Sequence, residues 1–429
     1  MNDRPRRTLR SKLLTVGSNA ASESVGRRHK PDYWILILGS ALLVLGLVVV
    51  YSISPGLAAS QGISQGYFIT KQLIDVGLGL TAFLVAAYLP AGWWWRVATL
   101  LAILAVLASL LVMIMPTDAL HPAHRWIRVG NFSFQVVELI KLALLVWTAR
   151  FLTLAWRSGR IADNKATLRP LLIVTIIAGM VVAMLQSDFG SAVVVVSMVG
   201  LMAYVAGIPL RKIGLIAGII SILLVLAIAS TPYRRDRLAN FLNPGASCET
   251  TGYQACQALI SVGSGGVFGL GLGHSVQAYG YLPEAGNDSI FAIIAEKFGF
   301  IGTILVLVLY GGLIFRLKLL ITHTSNQFNR LLVVGVLAWL STQIIINTGA
   351  MLGLLPLKGI TLPYISQGGT SLIFMTAALG LVFQISRYTN YSKTEPKLNL
   401  SEATNSYYRS DGRGIRRPHN PAFVARPRA

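Results

Sequence analysis

The chain has 429 residues, of which 54% are hydrophobic and only 12% charged, a balance that excludes an ordinary water-soluble fold and marks a chain solvated by lipid. Its formal net charge of +21 invites a nucleic-acid reading. The placement of the basic residues argues against one, because about 28 of the 37 fall where a membrane topology would leave them in the cytoplasm.

Residues 1–32 carry Arg4, Arg6, Arg7, Arg10 and Lys12 with little apolar periodicity, and residues 389–429, with Arg413, Arg416, Arg417 and Arg426, have the same character. Both are expected to be disordered basic arms lying on an anionic leaflet. The first apolar run is too long for the core of a cleavable signal, and no small-residue cleavage site clearly follows it.

A helix needs about 20 apolar residues to cross a ~30 Å hydrocarbon core. Such stretches lie near 33–53, 70–90, 95–115, 134–156, 170–186, 189–207, 213–231, 288–315, 331–352 and 368–387. The expected fold is therefore an all-α integral membrane domain of ten transmembrane helices over 33–388. An even number of spans and the positive-inside rule put both termini in the cytoplasm of a cell-membrane protein. Polar connections 116–133, 232–287 and 353–367 then lie outside. The longest joins spans seven and eight and, with its glycines and apolar patches, is predicted to be ordered and partly re-entrant.

Charges at the edges of spans are costly and are functional candidates by default. The fourth span is introduced by HRWIRVGNFSFQVVELIK, which sets Arg125 and Arg128 before the helix and Glu138 and Lys141 on one of its faces, three residues apart. That spacing allows an internal ion pair as readily as contact with a ligand. Asp188, in QSDFG, either caps the next helix or faces the site, with Gly190 supplying the turn. Past the seventh span, YRRDR places Arg234 and Arg237 on the side where positive charge is disfavoured, fitting anionic headgroups or a bound diphosphate.

Cys248 and Cys256 share the long external loop, where an oxidising compartment would permit a disulfide; two free thiols are the alternative. The glycine-rich GSGGVFGLGLG at 263–273 has neither the preceding buried strand nor the following acidic residue of a dinucleotide site. The eighth span opens YLPEAGNDSIFAIIAEK. Glu284 and Asp288 stand at its start, as an acid/base pair or, with Asn287, as helix-capping residues, and Glu296 and Lys297 lie inside the membrane. Lys358 adds an external cation among the prolines and glycines of GLLPLKGITLPYIS.

Taken in this order, HRWIRVG with ELIK, QSDFG, YRRDRLANFLNP, GYQACQALISVGSGGVFGLGLG, YLPE with Asp288 and IFAIIAE, and GLLPLKGITLPYIS with GG resemble the SEDS family (shape, elongation, division and sporulation) of integral-membrane peptidoglycan glycosyltransferases. The resemblance runs from about 33 to 388. YRRDRLANFLNP and GHSVQAYGYLPE are similar to the division branch more than to the elongation branch. It implies an enzyme that polymerises lipid II into nascent glycan at the outer face of the inner membrane, at the division septum, beside a class B penicillin-binding protein and other division proteins. Undecaprenyl diphosphate would be the leaving group.

Asp288 matches the family's essential acid and would act as base. Arg125, Arg128, Glu138, Lys141, Asp188, Arg234, Arg237, Glu284 and Lys358 are the candidates for holding substrate and diphosphate, with a divalent cation, Mg or Mn, as a further source of charge. Within the family, Gly286, Asn287, Ser289, Lys297 and Gln367 depart from the usual residues. A lipid-linked oligosaccharide flippase or transporter is the rival reading; it would want polar groups reachable from both sides.

Overall fold

A computed structural model describes residues 30–115, 125–129, 132–229, 235, 241–243, 248–250 and 252–389. Residues 1–29 and 390–429 of the basic arms, and Arg234 and Arg237 with them, lie outside the described residues. In chain order the long helices are α1 (Tyr33–Gln61), α2 (Tyr67–Tyr88), α3 (Ala91–Ile114), α4 (Val136–Arg157), α5 (Arg169–Met180), α6 (Phe189–Ala206) and α7 (Leu210–Ala229). A short α8 (Tyr253–Ser264) precedes α9 (Ile290–His323), α10 (Gln327–Met351) and α11 (Thr370–Ile385). A π-wound turn at each end extends α5 into one helical span, Asn164–Leu185.

Among the described residues eight helices are long and apolar enough to cross a membrane. Helices α4 and α7, of 22 and 20 residues, have the length to do so, and α4 carries Glu138, Lys141, Arg150 and Arg157. The first helix runs beyond its expected end at 53, through Pro55 to Gln61, where Gly62 closes it in the left-handed region. Its N-terminus is tied down at Asp32, which caps Trp34 and accepts two bonds from Arg316 of α9, at 2.6 and 3.0 Å.

The polar connection before α4, expected over 116–133, is described at 125–129 and from 132 onward. It contains an antiparallel hairpin, β1 (Trp126–Val129) and β2 (Phe132–Gln135), paired Trp126 to Gln135 and Arg128 to Ser133.

In the long connection between α7 and α9 the described residues from Cys248 onward pack toward α9. Cys248 and Cys256 are bonded, with Cα atoms 5.5 Å apart, and the bridge fastens the head of α8. After α8 the glycine-rich segment lies backbone to backbone on α9, where that helix breaks at Gly299 (φ 64°, ψ −161°). Leu270 and Gly271 N–H groups donate to the carbonyls of Glu296 and Lys297 at 2.9 and 3.0 Å, while Phe300 and Ile301 donate to Gly266 and Val267. A break inside a membrane helix orphans backbone groups that lipid cannot satisfy, and here the neighbouring segment satisfies them. A Cβ at Gly269 would lie 2.2 Å from the Lys297 carbonyl oxygen, and one at Gly299 2.4 Å from the Gly269 nitrogen. Gly265, Gly269 and Gly299 thus serve close backbone packing.

Candidate active site

The hairpin positions Arg125. Its carbonyl accepts the N–H of Val136, so the residue sits against the first turn of α4. Its guanidinium reaches across to the turn before α6, donating Nε to the Gln186 carbonyl at 2.6 Å and Nη2 to that of Ser187. The strained residue of this turn is Ser187, at φ 54°, and not Gly190 as the sequence led us to expect. Gly190 lies within α6, where close approach excludes a side chain: a Cβ there would meet Ile360 Cδ1 at 2.4 Å and Lys358 Cβ at 3.2 Å. Asp188 caps α6, accepting from the Ser191 N–H at 3.0 Å and its hydroxyl at 2.8 Å.

Asp288 precedes α9 without capping it, since Ser289 holds the cap position and makes no side-chain capping bond. The Asn287 amide goes instead to the Glu284 carboxylate, and the Asn287 and Ser289 N–H groups close a turn onto the Glu284 carbonyl. Glu284 itself is exposed, at φ 52°.

Three consecutive carbonyls then receive donors from elsewhere in the fold. Gly286 accepts the Gln367 N–H at 2.8 Å, Asn287 the Ser366 hydroxyl at 2.6 Å, and Asp288 the Asn347 side-chain amide at 2.7 Å. The same Asn347 nitrogen holds the Ile360 carbonyl at 2.7 Å, binding the acid's backbone to the 353–369 connection. Such a clamp fixes where a carboxylate points while using none of its oxygens.

Gly359 shows what lies near that carboxylate. A Cβ built on it would be 3.4 Å from Asp288 Oδ2 and 4.0 Å from Arg125 Nη1. The acid and the guanidinium therefore face one glycine. Next to it, Lys358 holds its ammonium 5.3 Å from the centre of the Phe189 ring. Asp288, Arg125, Lys358 and the Gln186–Asp188 turn are thus gathered at the hairpin end of the bundle.

Other candidates do different work. Glu138 and Lys141 form a buried pair at 2.7 Å, with the ammonium also 5.1 Å from the Trp339 ring. One Glu138 oxygen, Oε2, remains buried without a hydrogen-bond partner. Arg128 is exposed on β1. Glu296 is fully buried and saturated: Oε1 accepts the N–H groups of Val276 and Gln277, and Oε2 the Ser275 hydroxyl at 2.6 Å. Lys297 donates to the Leu272 carbonyl at 2.7 Å. Both hold the glycine-rich segment in place. Among the described residues no three His, Cys, Asp or Glu gather as a protein-only metal cage.

Residues 33–391 match the sequence profile of the FtsW, RodA and SpoVE cell cycle proteins. The chain belongs to that family. A probable peptidoglycan glycosyltransferase FtsW of Coxiella burnetii is 39% identical over 83% of this chain and 96% of its own length. One from Saccharophagus degradans is 37% identical over 87% and 97%. A solved structure describing the coordination of polymerisation and crosslinking by a peptidoglycan synthase complex superposes with a TM-score of 0.68 at 28% identity, covering 84% of this chain and 99% of that one. The family assignment agrees with the multi-pass membrane fold and with the resemblance drawn from the motifs.

Proposed function

We propose that this chain is an FtsW-type peptidoglycan glycosyltransferase that polymerises lipid II during division, with Asp288 as its general base. The observation that carries the reading is the clamp on Asp288: three successive carbonyls are fixed from α10 and the 353–369 connection, while the carboxylate faces Gly359 beside Arg125.

A sugar 4-hydroxyl is a weak nucleophile, and a positioned carboxylate that takes its proton as the new bond forms contributes on the order of 10²–10⁴-fold. Asp288 receives that proton. The hydroxyl oxygen bonds to the donor sugar's C1 from the face opposite the lipid diphosphate, the C1–oxygen bond to diphosphate breaks with its electron pair, and inversion gives the β-linkage. Arg125 and Lys358 are the cations placed to meet the departing diphosphate. A divalent cation, where used, fits the mode in which the ion is held by one carboxylate and by substrate phosphates. It would add positive charge on the leaving group.

The basic arms support a reading with both termini in the cytoplasm and the site on the outer face, where a class B penicillin-binding protein would crosslink the product at the septum. Polymerisation of purified lipid II, by the solubilised chain alone and with its cognate transpeptidase, tests the reading. Glycan from the wild type and none from folded Asp288→Asn is the expected result. Equal product from both would remove Asp288 as base, and no product from either with the partner present would overturn the enzyme.

A further inference from the structure

Gln367 touches three elements at once. Its backbone N–H holds the Gly286 carbonyl at 2.8 Å, and its side-chain amide nitrogen donates to the Phe68 carbonyl of α2 at 2.9 Å. Its amide oxygen occupies the space above Gly286, 3.1 Å from where a Cβ on that glycine would lie. Gly286 is buried and Gln367 is part-buried, so the contact lies in packed structure and not in open solvent.

Residue 286 stands two positions before Asp288, at the first of the three clamped carbonyls. A shift there moves the acid, and a misplacement of about 1 Å in a positioned group can cost on the order of a hundredfold in rate. The absence of a side chain at 286 and the amide at 367 fit one another: a methyl group at 286 presses on the Gln367 oxygen, and a shorter residue at 367 gives up the bond to α2 and the packing over Gly286 while its backbone N–H still holds the Gly286 carbonyl. Resting on the assignment of Asp288 as base, we propose that Gln367 is a positioning residue for Asp288, acting as a strut between the start of α2 and the backbone at Gly286.

The proposal predicts a kinetic split. Gln367→Ala lowers kcat for lipid II polymerisation by about tenfold and leaves KM within about twofold, because the acid is displaced while the rest of the substrate site stands. Gly286→Ala lowers kcat similarly. The double variant falls no further than the worse single, since removing the amide also removes the clash that the methyl would make.

Gln367→Glu preserves shape but sets an acceptor against the Phe68 carbonyl. It reproduces the loss of kcat should Gln367→Ala fail to fold, with thermal unfolding midpoints in detergent showing which variants are folded. A folded Gln367→Ala, or a folded Gln367→Glu in its place, with kcat within about twofold of wild type overturns the proposal, as do losses at 286 and 367 that multiply. Asp288→Asn is measured alongside. If it is active, the base assignment falls and this proposal with it; if it is inactive and the Gln367 variants are unaffected, the proposal alone falls.

Discussion

Asp288 and Glu296 flank the opening turns of α9, and the fold treats them in opposite ways. Glu296 is buried completely, with both carboxylate oxygens accepting bonds from Ser275, Val276 and Gln277. Asp288 is held by its main chain, and its side chain is directed to the glycine that Arg125 also faces. A carboxylate whose lone pairs are spent on backbone and hydroxyl donors is a structural fastening. One whose backbone is clamped and whose Oδ2 faces a glycine that an arginine also faces is arranged for chemistry. In sequence both are acids at the edge of the same apolar run; the difference lies in where their donors come from.

The sharpest way to break this comparison is to exchange charge for neutrality at each acid. Asp288→Asn is expected to reduce lipid II polymerisation by roughly a thousandfold while leaving the unfolding midpoint unchanged, in line with loss of a general base. Glu296→Ala is expected to do the reverse. It strands the Ser275 hydroxyl and the Gln277 N–H in packed structure, each worth about 1–3 kcal/mol when buried unsatisfied, so denaturant titration in detergent should show destabilisation of several kcal/mol. Activity would fall only with the folded fraction. Should Glu296→Ala fold normally and fail in turnover, the division of labour between the two acids is wrong.

Smaller effects sharpen the picture around these two. Cys248→Ser opens a short loop, and the chain-entropy relation gives a loss of about 2–3 kcal/mol, measurable as a lower midpoint that reducing agent reproduces in the wild type. Asp188→Ala removes a helix cap worth about 1 kcal/mol. If Asp188 is the cap that its two bonds to Ser191 indicate, polymerisation by the folded variant stays close to wild type. A large loss of turnover at unchanged stability would return Asp188 to the substrate site.

Most spans were readable because lipid imposes one strong rule, a run of about 20 apolar residues, which eight helices among the described residues satisfy in length and composition. The spacing of Glu138 and Lys141 likewise named its own partner. Other features carry no such signal. Two strands of four residues are too short for alternation to distinguish them from a loop, so the hairpin that delivers Arg125 was not foreseen. Glu296 read as a membrane-embedded charge because its donors, twenty residues earlier, belong to a loop whose path only the fold reveals. Asn347 and Ser366 drew no attention as single polar residues in apolar company, and Gln367 was noted only as a departure from the family; their alignment on three consecutive carbonyls depends on α10 and the following connection coming back over the start of α9. Asp288 itself was named by resemblance. Residue spacing alone left it as a candidate helix cap, which the placement of Ser289 corrects.

The meeting of Gly269 and Gly299 has a consequence for genetics. When two side chains crowd each other, a larger residue on one side can be accommodated by trimming the other, and second-site revertants arise readily. Here each glycine faces main-chain atoms of the other segment, Gly269 against Lys297 and Gly299 against Val267 and Gly269. Neither partner has anything left to trim. Suppressors of a lesion at either position are therefore expected to map away from the contact, to residues that let the glycine-rich segment and α9 move apart as bodies.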